Sequence, residues 1–265
     1  KNNSFEKVEL HGMALASVNS DQLLDILFGH LGEGQGTWLV TANLDFLRRF
    51  AKDPAARELY SDADVRIADG MPLVWASRVR GTPLPERVAG ASLVRPVCRR
   101  AAAEGRSVYL LGGDPTAARA AARKLVEENP GLQIAGISTP QVSATPTEVE
   151  LESMAALLEQ ARPDIVLVGL GSPKQERVIR ALRDRLPQAC WIGVGASLSF
   201  VSGHLRRAPP VMQALGLEWL HRLSQEPQRL FRRYVLEDLP FAFQLFGRAA
   251  LERLAATTPR TRTNP

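Results

Sequence analysis

Cysteine is scarce in this chain of 265 residues: there are two, Cys98 and Cys190, far apart and each in an apolar setting. That excludes a disulfide framework and fits reduced side chains within or beside a core, in a reducing compartment. Histidine is equally sparse. His11, His30, His204 and His221 show no ligand spacing, so no metal site is expected. No apolar run approaches the ~20 residues that span a bilayer, and the first residues carry no leader pattern. The dinucleotide fingerprint G-x-G-x-x-G is also missing, because GLGSPK has Lys174 and GVGASL has Leu198 where the third glycine belongs. This argues against a dinucleotide-dependent dehydrogenase, and no cofactor is expected. Lysine, finally, is absent from residues 201–265, which hold ten arginines against five acids. The first 200 residues are balanced, so the whole net charge of +5 lies in the tail. An acidic partner is implied there: membrane lipid, nucleic acid or a phosphorylated ligand.

What is present reads as one sizeable α/β domain with a smaller appendage. Short β-branched runs at 38–42, 65–68, 107–111, 132–137, 165–170 and 190–194 predict strands. Helical patterns at 91–105, 115–128 and 147–162 fall between them, the second opening on Pro115 and stopping at Asn129-Pro130-Gly131. Apolar strands alternating with helices predict a Rossmann-like, mostly parallel sheet covered on both faces. After Phe200 the texture changes. A loop, SGHLRRAPPV, leads into helical patterns at 211–224 and 227–253, and TTPRTRTNP reads as frayed. The expected division is therefore an α/β domain over 1–202 and an arginine-rich helical appendage over 203–265.

Ligands of parallel sheets bind beyond the carboxyl ends of the strands. There the sequence places Thr41, Asn43 and Asp45, then Asp69-Gly70, Gly112-Gly113-Asp114, GSPKQE (171–176) and Gly195-Ala196-Ser197. Each glycine alone has a plain role in a tight turn. Several glycine-bearing strand ends facing one side point to a phosphate-containing ligand. Asp69 follows its strand directly and suits a general base for a substrate hydroxyl; the plainer role is an N-cap for the helix that begins at Met71. Asp62-Ala63-Asp64 resembles a metal-binding D-x-D but precedes its strand, which favours a turn or cap.

Taken together, TANLDFL (41–47), ADGMPLVW (68–75), ERVAG (86–90), YLLGG (109–113), GLGSPKQE (169–176), GVGASLSF (193–200), RRAP (206–209) and GLEWLHRLSQEPQRLFRRY (216–234) resemble the WecG/TagA/CpsF glycosyltransferases, family 26 of the sugar transferases. The resemblance covers almost the whole chain in order. It implies inverting, metal-independent transfer of a hexose from a UDP-sugar to a sugar on a polyprenyl diphosphate, at the cytoplasmic face of the membrane. The products of such enzymes are teichoic acid linkage units, enterobacterial common antigen or exopolysaccharide. It implies a catalytic domain over 1–202, with Asp69 as catalytic base, Gln175 beside the reacting sugars and Thr41, paired with Asn43, on the acceptor side of the pocket; the tail over 203–265 is implied to close over the site and touch the membrane. Asn43, Arg87, Gly112, Gly113, Gly171, Lys174, Gly195, Arg222, Arg229 and Arg232 are the implied substrate-binding set. Lys174 and Glu176 also have a plainer reading as solvated or paired charges. For Arg222, Arg229, Arg232 and Arg233 the plainer role is a solvated helix face. One motif departs from the family: Leu198-Ser199-Phe200 stands where Phe-Asp-Phe is common, which removes a carboxylate.

The implied donor is UDP-N-acetylmannosamine, with UDP-glucose or a UDP-uronic acid as alternatives. A second class of reading is a non-catalytic module that senses a nucleotide sugar. Nucleic-acid binding through the tail is disfavoured, because Trp219, Phe231, Tyr234, Phe241, Phe243 and Phe246 suit a membrane interface as well as base stacking. The expected partners are the donor, the lipid-linked acceptor and anionic lipid, and the apolar tail helix also suits packing against a second copy.

Overall fold

The computed structural model describes residues 5–257, so all but the first residue of the expected frayed end at 257–265 lies outside the described residues. Strands β1 (Lys7–Leu10) and β2 (Met13–Ala16) form an antiparallel hairpin. Six more build the main sheet: β3 (Thr37–Ala42), β4 (Val65–Ala68), β5 (Ser107–Gly112), β6 (Gln133–Ser138), β7 (Ile165–Gly169) and β8 (Cys190–Gly193). Their spatial order is β4-β3-β8-β7-β5-β6, and every pairing is parallel. The fold is the α/β class expected from the alternating pattern.

Two apolar layers explain why the strands read as unbroken runs. Trp38, Val40, Val166, Val168 and Trp191 belong to the core on one face; Leu39, Ile165, Leu167 and Ile192 belong to the core on the other. Successive side chains alternate across a strand, so a strand buried twice over has no polar position to spare. Both cysteines are buried and free, and burial pushes each thiol up to about 12. Helix starts follow capping chemistry. Asp114 accepts from the Thr116 and Ala117 N–H groups, and Thr147 and Glu150 form a reciprocal capping box.

The tail departs from the expected pattern in two places. The helix read at 211–224 is two helices, Pro210–Ala214 and Glu218–Gln225. They are separated at Gly216, whose φ of +68° suits glycine and whose missing Cβ would lie 2.6 Å from the Trp75 ring. The stretch read at 227–253 runs on to 257 as Pro227–Phe231, a π-helical segment Arg232–Asp238 and the helix Leu239–Thr257. Phe241, Leu245 and Ala249 on that last helix are buried in the same core as Val8, Leu10 and Met13 of the hairpin. A fully buried Phe or Leu stabilises by about 1.5–3 kcal/mol, so these contacts hold the tail against the sheet. The expected boundary at 202/203 falls at Gly203, which ends the helix Ser197–Ser202 at φ +87°. The hairpin and the helices at 20–32, 44–52 and 54–61 were not read from the sequence. No helix among the described residues is long and apolar enough to cross a membrane.

Candidate active site

A cleft of about 640 Å³ lies over the carboxyl ends of the strands and is walled on its far side by the tail. Parallel strands all end on the same edge, and the loops after β3, β4, β5, β7 and β8 each send residues into this space. Thr41, Asn43, Asp69, Arg87, Gly113, Gly171, Gln175, Gly195, Arg222 and Arg229 all line it. Three expected residues do not. Gly112 lies behind the wall, at φ +98°, where a Cβ would meet Leu170 at 2.8 Å. Lys174 turns away and donates to the Val142 carbonyl at 3.0 Å. Arg232 points outward with 84% of its side chain exposed and pairs with Glu237 at 3.3 Å.

Asp69 sits directly after β4, held by its own N–H donating to the Ala42 carbonyl at 2.8 Å. It is no cap for the helix that follows it, whose N-cap is Gly70 and has no side-chain cap bond. Its Oδ2 instead accepts the Gly90 N–H, at 3.1 Å, from the first turn of the helix Gly90–Ala103. The carboxyl is enclosed by protein except where it meets the cleft. Burial pushes it up to about 7, against the pull of the Gly90 N–H and the Arg87 charge. A carboxyl poised there can take a proton from a hydroxyl near neutral pH and hold it. Thr41 stands beside it: a Cβ on Gly90 would lie 3.1 Å from the Thr41 Oγ1 and 3.6 Å from the Asp69 Oδ2. The Thr41 hydroxyl donates to the Gly193 carbonyl at 3.2 Å.

At the end of β7, Gln175 is buried on the first turn of the helix Lys174–Leu182. Its Oε1 accepts the Gly195 N–H at 3.1 Å, and its Nε2 donates to Glu176 Oε1 at 2.7 Å. Glu176 is a surprise. A residue read as solvated or paired is only 1% exposed, and burial pushes its carboxyl up to about 7. Nothing in the local spacing signals this, because the helix phase alone faces it outward or inward equally well.

Arginines supply the positive side of the cleft. Arg87 donates to Glu218 at 2.7 Å, and Arg207 reaches the other oxygen of the same carboxylate at 3.2 Å. Glu218 thereby ties the tail helix Glu218–Gln225 to the wall carrying Asp69. Arg222 stands over the Phe200 ring at 5.8 Å, and Arg229 pairs with Glu226 at 2.5 Å. Arg233 also lines the cleft, where Arg232 does not. Its Nη2 lies 2.7 Å from Asp45, a 1% exposed carboxylate that Arg48 contacts at 2.5 Å and Arg49 also contacts. Arg233 Nε has no hydrogen-bond partner and lies 3.9 Å from Asp238. Burial first, and then the charge of Asp45, push the Asp238 carboxyl up to about 6.

The D-x-D look-alike is structural. Asp62 pairs with Arg180 at 2.7 Å, and Asp64 accepts the Trp38 N–H at 2.8 Å and pairs with Arg183 at 2.9 Å. Among the described residues no three His, Cys, Asp or Glu side chains gather where they could hold a metal ion.

A buried carboxyl and several arginines thus share one cleft at the open edge of a parallel sheet, the place where α/β proteins of this architecture bind ligands. The sequence profile of the glycosyl transferase WecG/TagA/CpsF family matches residues 8–255, nearly the whole chain. The chain belongs to that family and is a glycosyltransferase of its type. Ser199 stands in the cleft wall and brings no charge to it.

Proposed function

We propose that the protein transfers a hexose, N-acetylmannosamine, from its UDP-sugar to a sugar carried on a polyprenyl diphosphate, with inversion and without a metal. The observation that carries this is Asp69: a carboxyl directly after β4 at the floor of a cleft built from strand ends, fixed by the Gly90 N–H and raised by burial to about 7. In a single displacement the acceptor hydroxyl attacks the anomeric carbon and gives its proton to Asp69. The bond from that carbon to the diphosphate breaks, and UDP leaves with the electron pair. Inversion follows from one displacement on the face opposite the leaving group. The charge arriving on UDP is met by three arginines that line the cleft, Arg222, Arg229 and Arg233.

The lipid-linked acceptor is supported by the other end of the cleft. Met71, Pro72, Trp75, Leu239, Ala242 and Phe246 line an apolar arm between the helices Met71–Arg80 and Leu239–Thr257. An apolar wall of that extent suits an acceptor with a hydrocarbon tail. Beyond the arm, Phe231, Leu236 and Phe243 are exposed beside the tail arginines. That supports a peripheral position on anionic lipid at the cytoplasmic face, each basic residue near the surface adding about 1 kcal/mol. The products are precursors of cell-surface polysaccharide or teichoic acid.

The test is UDP release from candidate UDP-hexoses with a lipid-diphosphate-linked N-acetylglucosamine or glucose analogue. UDP-N-acetylmannosamine is expected to support turnover, and Asp69→Asn to lower it by ~10²–10⁴ with the fold intact. Turnover only with UDP-glucose or a UDP-uronic acid would replace the donor. Tight binding of the UDP-sugar with no turnover on any acceptor would make the protein a binding module.

A further inference from the structure

Gln175 and Glu176 are neighbours in sequence and both are buried, at 4% and 1% exposure. Their side chains meet at the cleft wall, which Gln175 lines and Glu176 does not. The neighbours decide which end of the Gln175 amide is which. The Gly195 N–H can only donate, so the atom 3.1 Å from it is Oε1. Nε2 is then the atom 2.7 Å from Glu176 Oε1, and it donates there. An Nε2 carries two hydrogens, so one remains for the cleft that Gln175 lines.

One anchor on an amide leaves its plane free to rotate about that contact, and two anchors do not. Glu176 Oε1 is the second anchor, and it accepts whether or not Oε2 carries a proton. Oε2 itself has no hydrogen-bond partner. The Ser172 hydroxyl faces the same carboxyl, and it lies 3.3 Å from Arg49 Nη1 and 3.4 Å from the Tyr60 hydroxyl. Space is arranged to match. A Cβ on Gly193 would lie 2.7 Å from Gln175 Nε2 and 3.5 Å from Glu176 Oε1, so only a glycine there lets the pair close up.

We infer that Glu176 is a positioning residue for glycosyl transfer: by holding Gln175 Nε2 it fixes the amide plane, so that the remaining N–H is offered to an oxygen of the bound sugars. This rests on the proposed glycosyl transfer, with Gln175, which lines the cleft, facing the bound sugars. Glu176 touches no substrate and acts only through its neighbour. Burying a carboxyl is unfavourable for the fold, and the return lies in the fixed direction of the amide.

Four proteins test this: Glu176→Gln, Glu176→Met, Gln175→Leu and the double variant Gln175→Leu/Glu176→Met. Urea unfolding, hydrogen exchange at the Gly195 amide, and UDP release from UDP-N-acetylmannosamine with a lipid-diphosphate-linked N-acetylglucosamine analogue are measured on each. Glu176→Met removes a buried carboxyl and is expected to be at least as stable as the wild type. Its kcat falls on the order of tenfold and the Gly195 amide exchanges faster. Glu176→Gln keeps an acceptor oxygen and stays within about threefold of wild-type kcat. Gln175→Leu lowers kcat, and adding Glu176→Met lowers it no further. Wild-type kcat and Gly195 protection in Glu176→Met would overturn the inference, as would losses that add in the double variant. If no variant and no wild-type sample released UDP, the assigned substrates would fail. Exchange at Gly195 would still decide the role of Glu176.

Discussion

Replacing Asp45 with asparagine perturbs the junction between tail and sheet at one atom. The Asp45 carboxylate is 1% exposed and faces three guanidinium groups: Arg48 at 2.5 Å, Arg233 at 2.7 Å, and Arg49. Removing one partner of a buried charge pair destabilises by about 3–5 kcal/mol, because the other partner stays buried and unpaired. Here the strain is uneven. Arg48 keeps Glu237 at 2.8 Å and Asp238 at 2.9 Å, whereas Arg233 keeps only Asp238 at 3.9 Å. The expected loss is therefore at the lower end, about 3 kcal/mol. At roughly 2–4 °C per kcal/mol for a chain of this size, Tm falls by about 6–12 °C. The deficit also depends on pH. Asp238 has its carboxyl raised to about 6 by burial and by the charge of Asp45. A raised acid withdraws stability as pH climbs from its ordinary value to its folded one. Without Asp45, Asp238 ionises more easily in the fold and part of that stability returns above pH 6. The loss in Asp45→Asn is thus smaller at pH 7.5 than at pH 5. Calorimetry at both values checks this. A Tm within about 2 °C of the wild type at pH 5 would refute the reasoning.

Two further outcomes follow from the geometry. Gly216→Ala places a Cβ 2.6 Å from the Trp75 ring and 2.8 Å from the Met71 Cβ at φ +68°; about 2–4 kcal/mol is lost, and unchanged urea stability would contradict the packing. Arg233→Met weakens UDP binding about tenfold or more by titration calorimetry, as expected for one charge-assisted contact, whereas Arg232→Met, at an outward side chain, stays within about twofold.

The strand ends were legible because a parallel sheet leaves little choice. Apolar runs at 38–42, 65–68, 107–111, 165–170 and 190–194 had to be buried on both faces. Their polar followers had then to gather on one edge, which is why Thr41, Asn43, Asp69, Gln175 and Gly195 share a cleft. What stayed hidden was phase. In RLFRRY two arginines stand side by side, and only the helix phase decides which turns inward. The π-helical segment Arg232–Asp238 shifts that phase away from a 3.6-residue repeat, and it is Arg233 that lines the cleft. The same holds for Lys174 and Glu176: one reaches the Val142 carbonyl, and the other is driven inside where Gln175 and Ser172 meet it. Asp45 looked like one more polar residue after a strand, and its three arginines come from positions 48, 49 and 233. The last is remote in sequence, which no local pattern can report.

The central claim is that Asp69 takes the acceptor proton. The most direct measurement is kcat/KM for UDP release against pH, for the wild type and for Asp69→Asn. A base must be ionised to act, so the wild-type value should rise with pH and level off above about 7, where burial places this carboxyl in the free enzyme. Asp69→Asn should lose that rise along with most of its rate. A rise through pH 7 that survives in Asp69→Asn would contradict the assignment.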